Sequence, residues 1–227
     1  MYDKKEKIYF HNVRKELLDL IPEENKNGHV LEIGAGEGNT LVYAKENGLA
    51  NHIYGVELCK IENSNQTSEL FSDFIIGNIE NIDLPFEELK FDVIICGDVL
   101  EHLVDPYEVI DKLKKHLKDD GVIIASIPNI REWRTMKTIL IKGDFKYSDE
   151  GILDKTHLRF FTKKNILELF ENKDFNINKI ISSNKDDALK YLKKLRPLKF
   201  LSRFFFEELF TIQYYVVASK KKPNNKH

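Results

Sequence analysis

His29-Val30-Leu31-Glu32-Ile33-Gly34-Ala35-Gly36-Glu37-Gly38-Asn39-Thr40 joins a short apolar run to three closely spaced glycines and then to a polar start. A brief apolar run bounded by glycine reads as a strand, and the glycines as a tight turn. Thr40 to Asn47 follows as a helix, closed by Gly48 as its C-terminal cap. Glycines at such a strand-to-helix turn let the backbone turn sharply and approach a ligand with no Cβ in the way. The unpaired N–H groups of the following helix start suit an anion such as a carboxylate.

Outward from this turn, the chain alternates between two periodicities. Lys4 to Ile21 reads as an amphipathic helix with Ile8, Val13, Leu17, Leu18 and Ile21 on one side, stopped by Pro22. His52 to Glu57 and Phe74 to Ile76 read as strands. Phe91 to Cys96 and Gly121 to Ile127 are nearly all apolar, as strands buried on both faces are. Between these two, Pro106 to Leu117 is a helix capped by Asp105. Strands alternating with helices predict a parallel sheet covered on both sides, a doubly wound α/β fold. Residues 129–156 look irregular, lying over the carboxyl edge of the sheet. Thr162 to Asn172 returns to helix, and Phe175 to Ser182 and Thr211 to Ser219 read as two last strands. A Lys- and Phe-rich insertion is expected at about 184–210, more as an apolar face for packing than as an RNA- or membrane-binding element. Residues 1–219 are thus expected to form one domain, with a disordered tail at 220–227.

The bulk composition narrows the function classes. The 227 residues carry a net charge of -2, with 42% apolar and 32% charged residues. This is a globular balance without the basic field of a nucleic-acid-binding protein. The charged N-terminus lacks the apolar core of a secretory signal, and no apolar run reaches bilayer length. Two cysteines, Cys59 and Cys96, outside any C-x-x-C pair, read as reduced, buried thiols. A cytoplasmic location is expected, with no stable membrane insertion, no nucleic-acid partner, and room for a homodimer.

The glycine spacing separates two cofactor classes. A dinucleotide fingerprint, G-x-G-x-x-G, needs a third glycine at position 39, where Asn39 stands; the third glycine comes earlier, at Gly38. G-x-G-x-G behind Glu32 resembles motif I of class I, Rossmann-like S-adenosylmethionine-dependent methyltransferases. Glu57, about twenty residues on, suits the ribose hydroxyls of either class. Gly77-Asn78-Ile79-Glu80 falls where these methyltransferases usually carry Gly-Asp. Gly97-Asp98-Val99-Leu100-Glu101-His102-Leu103-Val104-Asp105-Pro106 and Ser126-Ile127-Pro128-Asn129 resemble their fourth and fifth strand ends. The block Asp154 to Thr162 resembles one in methyltransferases of bacterial surface-polysaccharide and related small-molecule biosynthesis.

The resemblance implies a seven-stranded, mostly parallel sheet with the last strand antiparallel. It further implies S-adenosyl-L-methionine as cofactor. Glu32, Gly34, Ala35, Gly36, Gly38 and Asn39 would face the methionine moiety, and Glu57 with Leu58 the ribose. Asn78 and Ile79 would face the adenine, with Gly97, Asp98, Val99 and His102 completing the site. The reaction implied is methyl transfer to a small polar acceptor, a hydroxyl of a sugar, nucleotide-sugar or phosphorylated metabolite. A non-catalytic scaffold that binds the cofactor, and an NAD-dependent oxidoreductase, are the alternatives.

A hydroxyl acceptor must lose a proton, and histidine is the side chain that titrates near neutrality. His102 and His157 are the candidate bases, and Arg159 either clamps an anionic acceptor or ties down a loop. Asp98, Glu101 and His102 by themselves lack a further ligand at metal-binding spacing, so no metal is expected.

Overall fold

The computed structural model describes residues 13–86, 88–183 and 208–222. Seven strands form one sheet: β1 (Gly28–Ile33), β2 (Ala50–Glu57), β3 (Asp73–Ile76), β4 (Phe91–Gly97), β5 (Leu117–Pro128), β6 (Phe175–Ser182) and β7 (Gln213–Lys220). Their order is β3-β2-β1-β4-β5-β7-β6, with only β7 running antiparallel to its neighbours. The expected seven-stranded sheet with an antiparallel last strand is what the structure shows.

Successive side chains of a strand point to opposite faces, and the two cores follow that rule. Leu31, Ile33, Ile94, Cys96, Ile123, Ala125 and Ile127 face one side. There α3 (Pro106–His116) contributes Val109, Ile110 and Leu113, and α5 (Lys163–Glu171) contributes Ile166, Leu169 and Phe170. Val30, Val93, Ile95, Val122 and Ile124 face the other side. They meet Leu17 and Leu18 of α1 (Lys15–Leu18) and Leu41 and Ala44 of α2 (Asn39–Glu46). The central strands are therefore apolar throughout because both faces are buried.

The sheet order reverses between β1 and β4, with crossovers leaving to opposite sides. Such a switch point opens a crevice at the carboxyl ends of the strands. The register aligns those ends: Ile33 lies opposite Val56 on one side and Cys96 on the other. The turns after β1, β2 and β4 thus emerge together.

Several expectations need correcting. Only one turn of the helix expected at Lys4 to Ile21 falls among the described residues. Arg14 leaves helical geometry at φ -84°, ψ 63°, and its amide donates to Thr40 Oγ1 at 3.2 Å. The irregular region at 129–156 contains a helix, α4 (Trp133–Lys142), none of whose residues is buried. Glu132 caps it, accepting from Arg134 N and Thr135 N, and Gly143 ends it at φ +64°. The expected tail at 220 begins too early: Lys220 closes β7 and its Nζ donates to Leu117 O at 2.6 Å. Cys96 is buried, and Cys59 is only half-buried. The insertion expected at 184–210 lies outside the described residues except for 208–210, as does the tail beyond 222.

Candidate active site

A cavity of about 600 Å³ opens at the switch point, within the ~300–1,000 Å³ usual for small-molecule sites. Its floor is the glycine turn. Gly34, Gly36 and Gly38 take φ of +71°, +54° and +85°, a region that L-residues with a Cβ avoid. At Gly34 a Cβ would also stand 2.5 Å from Val99 Cγ2, so glycine there lets the β1 turn pack on the β4 turn. The turn is pinned to the end of β2 by Gly34 N and Ala35 N, which donate to Val56 O at 2.8 and 3.1 Å.

Glu57, at the end of β2, gathers three backbone donors on its carboxylate. Gly36 N reaches Oε2 at 2.8 Å, and Leu58 N and Cys59 N reach Oε1 at 2.8 and 3.4 Å. Burial raises its pKa, and these bonds oppose the shift. Buried Gln66 staples the same region, donating from Nε2 to Gly36 O at 2.8 Å and to Cys59 O at 3.2 Å.

Glu32 sits two residues beyond Val30 and so shares the α1/α2 face. It is 3% exposed, and its Oε2 is buried without a hydrogen-bond partner. Burial above all, with help from Glu57 and against Arg14, pushes its carboxyl up to about 8. A buried polar atom without a partner is costly, and this one belongs to a residue of the cavity wall. A cationic ammonium donor placed there satisfies it. This end of the cavity, with Glu32 and Glu57 both in its wall, is therefore lined with acceptors and suits a ligand that brings a cationic donor and hydroxyls.

The cavity wall includes Glu32, Gly34, Ala35, Gly36, Glu57, Leu58, Asn78, Ile79, Gly97, Asp98, Val99 and His102. Gly38 and Asn39 stand back from it. Gly38 supports the turn, while Asn39 donates to Glu37 Oε2 and accepts from Asn65 Nδ2. Asn78 Oδ1 already accepts from Glu80 N at 2.9 Å, closing an Asx turn.

Sequence reasoning missed Arg14. Its Nη1 donates to Asp98 Oδ2 at 2.6 Å and its Nη2 to Ser126 Oγ at 3.2 Å. Burial opposes the guanidinium charge, but Asp98 and Glu16 hold it and raise its pKa overall. Asp98 is itself at φ +54° and accepts from Ser126 Oγ and Gln213 Nε2 on its other oxygen. A cation three and four residues before Leu17 and Leu18, on an otherwise apolar stripe, was the available signal.

At the opposite wall, the turn Leu100–His102 meets the block Asp154 to Thr162. Leu158 N and Arg159 N both donate to Glu101 O, at 2.8 and 2.9 Å. Asp154 Oδ1 accepts from Thr156 N and Oγ1 at 2.8 and 2.6 Å. Arg159 donates through Nε and Nη2 to Val104 O, so the cation considered for an anionic acceptor ties the loop down instead. His102 lines the cavity. His157, 8% exposed, lies behind it with the ring centroids 4.7 Å apart.

Comparison with known proteins gives a consistent result. The family model described as "Methyltransferase domain" matches residues 6–180. A Ubiquinone biosynthesis O-methyltransferase of Glaesserella parasuis is 26% identical over 67% of this chain and 66% of its own length. The chain spans from about a fifth to two thirds of the length of the curated relatives it matches. An S-adenosylmethionine-dependent methyltransferase of Clostridium acetobutylicum has a similar structure. Its TM-score is 0.61 at 19% identity, over 97% of this chain and 96% of that one. The 1,6-didemethyltoxoflavin-N1-methyltransferase of Burkholderia thailandensis, solved with S-adenosylhomocysteine, gives 0.64 at 14% identity over 97% and 84%. At these identities the two structures establish the shared fold.

Proposed function

The chain belongs to the methyltransferase domain family, and from that premise we propose that it moves a methyl group from S-adenosyl-L-methionine to a hydroxyl oxygen of a small molecule. When bound, this cofactor supplies a methyl group already activated on a sulfonium. The protein's work is to hold the two reactants in line and to manage the acceptor proton. Glu32, the glycine turn and Glu57 hold the cofactor end of the cavity. His102 stands on the acceptor wall.

The observation that carries this reading is the buried Oε2 of Glu32, partnerless beside the glycine turn on the cavity wall. Oxygen as the acceptor atom is supported by the name of the curated relatives, Ubiquinone biosynthesis O-methyltransferase. That name also favours an acceptor of the ubiquinone-precursor type over a sugar, and the polysaccharide association has no such support. A phosphorylated acceptor is disfavoured because Arg159 is engaged at Val104 O. No helix among the described residues is long and apolar enough to cross a membrane. Among the described residues Cys59 and Cys96 form no disulfide, which suits the reducing cytoplasm.

The test is calorimetry with S-adenosylmethionine, followed by mass spectrometry of a panel of hydroxylated acceptors. Binding that disappears in Gly36→Val, and a product carrying one added methyl on oxygen, are expected. His102→Ala should lower turnover by about 10²–10⁴-fold while leaving cofactor affinity near wild type. Absence of cofactor binding, or methylation of nitrogen alone, overturns the reading.

A further inference from the structure

We propose that Glu101, His102 and His157 form a binding site for one divalent first-row cation, of the Mn²⁺ to Zn²⁺ series, at the acceptor wall of the cavity. The proposal rests on the reading of that wall as the acceptor side of a methyltransferase site. Asp98, the residue that sequence spacing grouped with Glu101 and His102, is not part of it, being held by Arg14 and Ser126.

One ligand atom from each of the three side chains lies within 4.8 Å of the other two. Ligands sharing an ion at about 2.0–2.2 Å stand roughly 3–4 Å from each other, so small side-chain rotations close the set. Both imidazoles are already oriented for it. His102 Nδ1 faces Thr156 O at 3.1 Å, and His157 Nδ1 faces Ile152 O at 3.0 Å. A carbonyl only accepts, so each Nδ1 carries a proton, and Nε2 is the ring nitrogen left to turn toward an ion. Metal-binding histidines have this arrangement, with the far nitrogen donating to a carbonyl or carboxylate. His157 Nε2 lies 3.9 Å from Glu101 Oε1, and Glu101 is 1% exposed. A cation between them offsets the charge of a carboxylate taken out of water.

The scaffold is rigid where the ligands need it to be. Leu158 N and Arg159 N hold the Glu101 carbonyl, and Asp154 holds Thr156. Two segments more than fifty residues apart in sequence are thereby locked ligand to ligand. Three protein ligands leave at least one coordination position, and the cavity-lining place of His102 turns that position toward the acceptor. Open sites of this kind are catalytic rather than structural. An ion there orients an acceptor hydroxyl and lowers its pKa, so that the proton leaves to solvent and His102 serves the transfer as a ligand of the ion and not as the base itself.

The test uses the whole chain, stripped with a chelator and titrated with Co²⁺, whose visible bands report nitrogen and oxygen ligation. One Co²⁺ per chain, displaced by Zn²⁺, is expected. The affinity should fall more than about tenfold in His157→Ala, in Glu101→Gln and in the half-buried His102→Gln. S-adenosylhomocysteine binding, measured on each variant, shows that it is folded. A folded chain that binds S-adenosylhomocysteine but no Co²⁺, or Co²⁺ binding unchanged in every folded variant, overturns the metal site. Co²⁺ binding of the expected pattern without S-adenosylhomocysteine binding overturns the methyltransferase reading and leaves the metal site standing.

Discussion

Glu32 shows how one residue joins fold to function. Its place in an otherwise apolar strand was visible in the sequence, and so was its neighbourhood to the glycine turn. What the sequence did not carry was the cost of putting it there. Burial holds its carboxyl at about 8, against 4.5 in the free side chain. Between those pH values the folded chain keeps a proton that the unfolded chain releases, so the contribution of Glu32 to stability is fullest below about pH 4.5 and falls as pH rises toward 8. Thermal unfolding of the cofactor-free chain should therefore decline over this window more steeply than that of Glu32→Gln. Equal slopes would show that Glu32 does not titrate there. A cationic ammonium at Oε2 reverses the preference, so cofactor binding near pH 7 should release a proton. Calorimetry in buffers of different ionisation enthalpy detects that release. Gln66 was missed at the same scale, because a buried amide stapling two loops has no periodicity to reveal it.

At the scale of elements, legibility followed burial. β4 and β5 were plain because both their faces are covered, and α3 was plain because Asp105-Pro106 announces its start. α4 was not, since none of its residues is buried, although Trp133, Met136 and Leu140 stand at helical spacing. Its caps, Glu132 and Gly143, were further signals, and they are local ones. The cap of α3 has a measurable worth. Asp105 Oδ1 accepts from Tyr107 N at 3.0 Å and from Glu108 N at 3.1 Å, satisfying two of the donors a helix start leaves open. Asp105→Ala should cost about 0.5–2 kcal/mol, or roughly 2–4 °C in Tm for each kcal/mol in a chain of this size. Cofactor affinity should not change, because Asp105 is not among the wall residues and the backbone N–H it donates to Glu80 survives the substitution. A loss of affinity comparable to that in Gly36→Val would mean that α3 positions the site as well as supporting the sheet.

On the scale of the whole molecule, the site depends on contacts that no local pattern predicts. Arg14 precedes the first strand, yet it bonds Asp98 at the end of β4 and Ser126 in β5, 84 and 112 positions away. Through Asp98 it is also linked to Gln213, where the antiparallel β7 begins. One guanidinium thus ties the leading segment to three strands and forms part of the cavity wall. Fold class survives without it, because the two apolar cores are built by other residues. The cavity wall at that side does not. Bonds to a charged group are worth about 1.5–3 kcal/mol, discounted here because Arg14 and Asp98 are each about a fifth exposed. Arg14→Ala should therefore destabilise the chain by about 1–2 kcal/mol, lowering Tm by about 2–8 °C. It should weaken S-adenosylhomocysteine binding at the same time, because Asp98 loses its partner and the wall opens. Glu16→Ala, which removes the half-exposed partner of Arg14 Nε at the cavity edge but leaves the bonds to Asp98 and Ser126 in place, should do neither to a comparable degree. Melting curves of both variants, with and without S-adenosylhomocysteine, separate the two effects. If Arg14→Ala lost stability but kept full affinity, the leading segment would be a brace for the sheet and not a wall of the site.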